Sequence, residues 1–309
     1  MRQFNFSKSM VISLVLIMAF CLGLSTLALA QDANLNPLFT EKKVKNYLPH
    51  MTWPEVEEAL KRTDVVIIPA GSIEQHAKHL PLGTDIYDAI EISKLIAQKT
   101  EVVVAPVVLA GLSSHHMGFP GTITLTSETF EAVVYETALS LIKHGFRKIL
   151  IYNGHGGNEV SVANVIQKIN QTTLATAVDL GKVQVPPKDP LDPPIPWDGH
   201  AGLAETSGAL YLMGSLVDMS KVENPILTIP PDVLRFEEMS KTNPIFDEVW
   251  YNMWLRPLET GKKTSTRELT NTGALTNADI KTATAERGRK EIEDFIAAAV
   301  KFIEEWRKK

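Results

Sequence analysis

Short unbroken hydrophobic runs alternate along this 309-residue chain with longer stretches in which apolar side chains return every three or four positions. Residues 64–70 (DVVIIPA) are apolar and β-branched, the pattern of a strand buried on both faces. Further strands are predicted over 101–108, 148–152 and 174–180. A helix is predicted from Thr84 and Asp85, with Ile86, Ala89, Ile90 and Ile96 on one side. Ser127 reads as the N-cap of another, in which Phe130, Val133, Val134, Ala138, Leu141 and Ile142 recur at helical spacing until Gly145 ends it. Helices are also predicted over 158–170 and 284–308, the last with Ile292, Phe295, Ile296, Ala299, Phe302 and Ile303 as its apolar stripe. Strands separated by helices predict an α/β fold with a mostly parallel sheet covered on both faces. The proline-rich stretch 183–197 reads as a long loop. Residues 222–272 mix prolines, aromatics and charges without clear period and read as an irregular insertion.

The amino terminus follows a different pattern. Arg2 and Lys8 precede an uncharged apolar stretch over 11–27, and Ala28-Leu29-Ala30 supplies the small-x-small ending of a signal-peptidase site. Residues 1–30 are therefore expected to be a signal peptide and 31–309 a single exported domain, periplasmic or secreted. The rival is an uncleaved anchor, since the run approaches the minimum spanning length. Cys21 is preceded by Phe20 where a lipoprotein signal wants a small residue, so it reads as part of the apolar core of the signal.

Composition then narrows the class. A hydrophobic content of 44% supports a sizeable core, and 22% charged residues exclude an extended disordered chain. A net charge of −5 leaves no basic excess to neutralise phosphates, so no nucleic-acid partner is expected. Removal of the segment carrying Arg2 and Lys8 takes that charge to −7. The single cysteine excludes an internal disulfide framework and a cysteine-rich zinc module.

The residues with chemical potential gather where strands end, the place where ligands collect in α/β sheets. The first strand runs into Gly71-Ser72-Ile73-Glu74-Gln75-His76-Ala77-Lys78-His79 and on to Gly83-Thr84-Asp85. The third runs into Asn153-Gly154-His155-Gly156-Gly157-Asn158. Later comes Asp198-Gly199-His200-Ala201-Gly202-Leu203-Ala204-Glu205-Thr206-Ser207. Imidazole with carboxylate is the ligand set of zinc, manganese or iron(II) in hydrolytic sites. Each cluster alone has a plainer reading. Glu74 and His76 could lie on an exposed turn, Asp85 could cap its helix, the glycines around His155 could be turn residues or a phosphate nest, and Glu205 could be a surface helix residue. Three such clusters on separate loops are hard to attribute to coincidence.

In these motifs, together with Phe119-Pro-Gly-Thr122 and a weaker echo in Ala283-Thr-Ala-Glu-Arg-Gly288, the chain resembles the creatininase (creatinine amidohydrolase) family over roughly residues 50–290. The resemblance implies a three-layer α/β/α sandwich, two divalent metal ions (zinc, manganese or iron) and hydrolysis of a non-peptide C–N bond in a small amide. It also implies homo-oligomers, often hexamers. Carried over by position, Glu74, His76, Asp85 and His155 are metal ligands, Asp85 the bridge, and Glu205 completes the set. His200 matches a residue credited with proton transfer; holding a ligand in place is its alternative role. Such a site suits amide hydrolysis, because paired divalent ions acidify water and polarise a carbonyl, while an imidazole titrates in the range needed to move the proton.

The chain also departs from the family pattern. Creatinine-hydrolysing members often carry a glutamate two residues after the loop histidine, where this chain has Gly157. Ala77-Lys78 replaces a frequent Gly-Pro, and His115-His116 stands where Glu-His is common. Pocket walls are expected from 111–119, including Ser113 and His116, from 183–199 and from the 222–272 insertion. Trp197 could stack on a planar substrate or anchor its loop. Two functions remain open: an exported metal-dependent amidohydrolase, with formamide deformylation or peptide trimming as variants, and a non-catalytic relative that binds metal or ligand.

Overall fold

A computed structural model describes residues 42–185, 197–228, 230–246 and 265–308. The predicted signal peptide and most of the proline-rich loop lie outside the described residues, as does 247–264 of the expected insertion. Residues from Val44 onward form one compact unit. Among the described residues, no helix is long and apolar enough to cross a membrane.

Four parallel strands make the central sheet in the order β2-β1-β3-β4: β1 (Val65–Ala70), β2 (Val103–Val104), β3 (Lys148–Asn153) and β4 (Thr176–Asp179). The pairing of Ala70 with Asn153 brings the carboxyl ends of β1 and β3 side by side. The chain leaves β1 for β2 on one side, then crosses to β3 on the other, so the switch point of the sheet lies at these two ends, where a crevice forms.

Because side chains alternate across a strand, β1 feeds two cores at once. Val65 and Ile67, with Leu150 and Tyr152, pack against helices α2 (Thr84–Lys99), α5 (Leu203–Met213) and α7 (Ala285–Arg307). Val66 and Ile68, with Ile149 and Ile151, pack against α1 (Trp53–Leu60), α3 (Ser127–His144) and α4 (Glu159–Thr172). The result is the three-layer α/β/α sandwich that the sequence pattern and motifs led us to expect.

Local chemistry sets the details. The N-cap of α3 is Thr126 rather than Ser127: its hydroxyl accepts from the Thr129 amide, and Ser127 is already helical. Gly145 ends α3 with φ 121°, a left-handed conformation that glycine adopts freely. The second strand is shorter than its apolar run, because Pro106 has no amide to donate to a ladder. α1 is an unanticipated helix, marked by a reciprocal capping box between Thr52 and Glu55. The 222–272 stretch is not wholly irregular. It contains α6 (Pro231–Ser240), which starts with proline in its first turn. A two-stranded antiparallel pair, β5 (Asp198–His200) with β6 (Leu275–Thr276), lies apart from the main sheet and carries His200.

Candidate metal centre

The loop after β1 and the first turn of α2 are forced together. A Cβ on Gly71 would sit 2.8 Å from the Ile86 backbone, and one on Gly154 would sit 2.7 Å from the Asp85 carbonyl oxygen. Only residues without a side chain let the ends of β1 and β3 approach the start of α2 this closely. Asp85 in that first turn is also favourably placed against the positive end of the helix.

Four side chains converge there and are almost fully buried: Glu74, His76, Asp85 and His155. His76 Nε2 lies 2.9 Å from Asp85 Oδ1, and His155 Nδ1 lies 3.1 Å from Asp85 Oδ2 and 3.3 Å from Glu74 Oε1. Backbone carbonyls orient both rings. His76 Nδ1 is 3.1 Å from the Glu74 carbonyl oxygen, and His155 Nε2 is 3.1 Å from that of Leu112. An N–H donated on each outer side leaves the inner nitrogen, Nε2 of His76 and Nδ1 of His155, turned toward the carboxylates, the arrangement that metal-binding histidines use.

Further groups stand around this centre. Glu205 Oε2 lies 3.8 Å from His76 Nε2, on a side chain 40% exposed. His200 Nδ1 and His116 Nε2 each lie 3.6 Å from Glu74 Oε1. Ser113 Oγ donates to Glu74 Oε2 at 2.6 Å. The structure thus brings Glu74, His76, Asp85, His155, Glu205, His200, His116 and Ser113 together. Ser113 is fully buried, with its hydroxyl spent on holding Glu74. Trp197 packs with Leu227, Phe236, Leu269 and Leu275 and gives its carbonyl to the Asn277 amide, which is a loop-anchoring place.

The electrostatics fit a cation. Burial opposes charge on Glu74, yet His155, His116 and His200 together hold its carboxyl well below the usual range. Burial likewise works against a charged His76, but Asp85, Glu205 and Glu74 outweigh it and push the imidazole up to about 10; His155 is raised well above its ordinary value by Glu74 and Asp85 against burial. Without metal, protons on these two rings therefore supply the positive charge that the carboxylates require. His76 Nε2 and Asp85 Oδ2 are buried without a well-formed hydrogen bond, although each has an oppositely charged neighbour. Buried polar atoms left without hydrogen bonds call for an explanation. Donor atoms of Glu74, His76 and Asp85 lie within 4.8 Å of one another, as do those of His76, His200 and Glu205 and those of Glu74, His115 and His155. This donor set could hold divalent metal ions.

Several further residues support the centre. Asn158 ties the loops together, donating to the Gly71 carbonyl and Asn153 Oδ1 and accepting from the Leu112 amide. His79 is structural, joined to Thr206 Oγ1 at 2.8 Å. His115 is buried and stacks on His155, and burial pushes its imidazole down to about 4. Gln75 and Thr266 contact the site histidines, and Thr266, 150 positions from His116, carried no local signal at all. Ala77 and Ala201, directly after His76 and His200, have φ of 55° and 48°. Left-handed backbone at non-glycine residues concentrates at functional sites.

A parallel α/β sheet with a buried histidine–carboxylate cluster at its switch point defines a protein built to hold metal at the carboxyl ends of its strands. The family model described as creatinine amidohydrolase matches residues 49–303. The chain belongs to the creatininase family of metal-dependent amidohydrolases. It is 29% identical over 205 residues to the creatinine amidohydrolase of Pseudomonas putida, covering 60% of this chain and 79% of that relative. It is 34% identical over 154 residues to the mycofactocin precursor peptide peptidase of Mycolicibacterium smegmatis, covering 48% of this chain and 58% of that protein. Among solved structures, a manganese creatininase aligns with a TM-score of 0.65 at 22% identity, over 85% of this chain and 99% of that one. A mutant creatininase of Zn–Zn type aligns with a TM-score of 0.62, also at 22% identity, over 85% and 98%.

Proposed function

We propose that the protein is an exported amidohydrolase that holds two divalent cations, zinc, manganese or iron, and cleaves a non-peptide C–N bond in a small open-chain or cyclic amide. The observation that carries this reading is the convergence of Glu74, His76, Asp85 and His155, with His76 Nε2 and Asp85 Oδ2 buried and not hydrogen-bonded. These four residues and Glu205 would hold the cations. Bound there, divalent ions acidify water and polarise a carbonyl, the two demands of amide hydrolysis. His200, with Nδ1 turned toward Glu74, takes a proton from water and returns it to the departing nitrogen. His116, on the same side of Glu74, lies within reach of the substrate. A cleft of about 320 Å³, lined on one side by Asp85, His155 and Glu205, leads to the cluster and has room for a small molecule.

A second substrate class is favoured by one observation, the 34% identity to a mycofactocin precursor peptide peptidase. A short peptide then takes the place of the small amide at the same centre. The test is amine release by metal-replete protein from lactams, formamides and short peptides, before and after chelation. We expect activity on one class, lost with the metal and restored by zinc or manganese, and a metal-loaded but inert His200→Asn variant. A metal-loaded wild-type protein inert toward the whole panel would instead favour a non-catalytic binder. Export is tested by the mass of protein recovered from its own cells, expected to begin at Gln31.

A further inference from the structure

We propose that Gln75 sets two site histidines in opposite tautomers, so that His200 presents an unprotonated Nδ1 and His116 presents an Nε2–H to the same point beside Glu74. Gln75 lies between the two candidate ligands Glu74 and His76. Its amide orientation is fixed at both ends: Oε1 accepts from the Ala77 amide at 3.0 Å, and Nε2 donates to the Gly273 carbonyl at 3.0 Å. Rotating the amide by half a turn would set oxygen against oxygen and donor against donor. The turn at Gly273 closes on Gln75 because that residue has φ 101° and no Cβ to collide with Oε1.

With the amide fixed, the hydrogens can be placed. Nε2 of Gln75 has two, one of which goes to Gly273. The second faces His116 Nδ1 at 3.0 Å and His200 Nε2 at 2.9 Å. His200 Nε2 is also 2.7 Å from the backbone carbonyl oxygen of Gln75 itself. That contact is a hydrogen bond only if Nε2 carries the proton, since a carbonyl oxygen cannot donate. His200 Nε2 is therefore a donor and cannot also accept from the Gln75 amide. The second amide hydrogen must go to His116 Nδ1, which is an acceptor. The Thr266 hydroxyl, 2.6 Å from the same nitrogen, has a single hydrogen, which it gives either to this nitrogen or to the His115 carbonyl oxygen 3.1 Å away. Nδ1–H of His116 donating to Thr266, with the threonine hydrogen passed on to His115, would set that N–H against the second Gln75 amide hydrogen at 3.0 Å and leave this buried donor without an acceptor; inverting His200 as well would set two lone pairs against each other at 2.7 Å.

Two imidazoles of opposite polarity thus point at one spot, each 3.6 Å from Glu74 Oε1. His200 Nδ1 can accept a proton from water, and His116 Nε2–H can donate a hydrogen bond to a carbonyl oxygen while keeping its proton. A protonated Nε2 has no lone pair, so His116 in this tautomer is not a metal ligand through that atom, although it lies close to Glu74 and His200. Gln75 is thus a positioning residue acting through both rings. The chemical consequence rests on the hydrolytic reading of the site, whereas the tautomers belong to the folded protein and are measured without substrate.

The experiment is solid-state NMR of full-length protein labelled with 15N on the histidine rings, metal-free and zinc-loaded, which separates protonated from unprotonated ring nitrogens. The chain has eight histidines, and loss of one signal pair in His116→Gln assigns the pair of interest. We expect protonated Nε2 and unprotonated Nδ1 for His116 in the wild type. Gln75→Glu replaces the amide donor with an acceptor and should invert that pair, while Thr266→Val should leave it unchanged. A wild-type His116 protonated at Nδ1 overturns the proposal. So does an unaltered pair in Gln75→Glu, or an inversion in Thr266→Val, which would make the threonine the determinant. Should Gln75→Glu fail to fold, the wild-type and Thr266→Val spectra still decide. An inert enzyme with the expected tautomers would count against the hydrolytic reading alone.

Discussion

His76 Nε2 and Asp85 Oδ1 lie 2.9 Å apart at the junction of the β1 loop and the first turn of α2, with both side chains buried and the histidine nitrogen lacking a well-formed hydrogen bond. The fold thus holds a buried imidazole against a buried carboxylate, a pairing that a cation bound by both groups would replace.

Asp85→Asn tests this contact, because it keeps the shape and removes the charge. Asp85 faces both His76 and His155, so its loss touches both inner nitrogens. Removing even a partner that merely orients a ligand lowers metal affinity by about 10–100-fold, and a direct ligand should cost at least that. Chelator-competition titration and elemental analysis measure the loss. Unchanged metal content would remove Asp85 from the centre.

The raised His76 gives a pH signature. Its imidazole is pushed up to about 10 in the folded metal-free protein, against an ordinary value near ~6.5 in the unfolded chain. Between those values the folded state holds more protons, so stability of the metal-free protein falls as pH rises from about 6.5 toward 10. His79 and His115, both pushed down to about 4 by burial, act on the acid side. There the unfolded chain holds more protons, so stability also falls as pH drops from about 6.5 toward 4. Metal binding must expel protons from the facing nitrogens, so metal affinity should climb over the same alkaline range in which the empty protein weakens. Urea melts at a series of pH values, with and without zinc, check the opposite slopes. Parallel slopes would mean that His76 is not protonated at the empty centre.

How far the site could be read in advance depended on the range over which its parts interact. Glu74, His76 and His155 sit in glycine-bearing loops directly after apolar strands, and Asp85 in the helical turn that follows the first of them, so their types, spacing and position relative to the sheet were legible together. The two-sided burial of β1 was legible for the same reason, since Val65–Ala70 is apolar at every position bar the proline. Gln75 was visible within the motif but carried no role, because its contacts to His116, His200 and Gly273 span 41, 125 and 198 positions. α5 was missed because its ten-odd residues are apolar or small nearly all round, so no amphipathic period marks them. For Trp197, near His200 in sequence, substrate stacking and loop anchoring could not be told apart, because its neighbours Leu227, Phe236, Leu269 and Leu275 are remote along the chain.

Ser113→Ala probes how Glu74 is held. The Ser113 hydroxyl donates to Glu74 Oε2 at 2.6 Å and lies 2.5 Å from Ser72 Oγ, so with its hydrogen spent it accepts from Ser72. Hydrogen bonds to charged groups contribute about 1.5–3 kcal/mol. The variant should lose a stability of that order in urea melts of the metal-free protein, with weaker metal binding. A neutral substitution would mean that Glu74 is fixed by the histidines alone.

Glu205 has two separable duties. Its Oε2 accepts from the Ala201 amide at 2.5 Å and faces His76 Nε2 at 3.8 Å. Glu205→Gln keeps an acceptor for Ala201 but drops the charge. It should lower metal occupancy while leaving stability within about 0.5 kcal/mol, as for a partly exposed position. Glu205→Ala also orphans the Ala201 amide and should cost about 1 kcal/mol more. Elemental analysis and thermal melts on the pair separate the two effects. Equal occupancy in Glu205→Gln and wild type would place this carboxylate outside the centre.

Gly157 decides whether this centre can be converted to the form with a glutamate at that position. A Cβ there would fall inside contact distance of the Leu112 carbonyl oxygen and 2.5 Å from His155 Nε2. That carbonyl is the group that orients the His155 ring. A side chain at Gly157 must push Leu112 or His155 aside, and neither can yield without turning the inner nitrogen away from Asp85 and Glu74. Overpacking of this kind costs about 1–3 kcal/mol, or a melting shift of roughly 2–4 °C per kcal/mol in a domain of this size. Gly157→Ala should therefore melt several degrees lower and bind metal more weakly, and Gly157→Glu should not gain a ligand. Loop movement that let Gly157→Glu bind metal more tightly than wild type would show that the glycine is a replaceable gap rather than part of the device that aims His155.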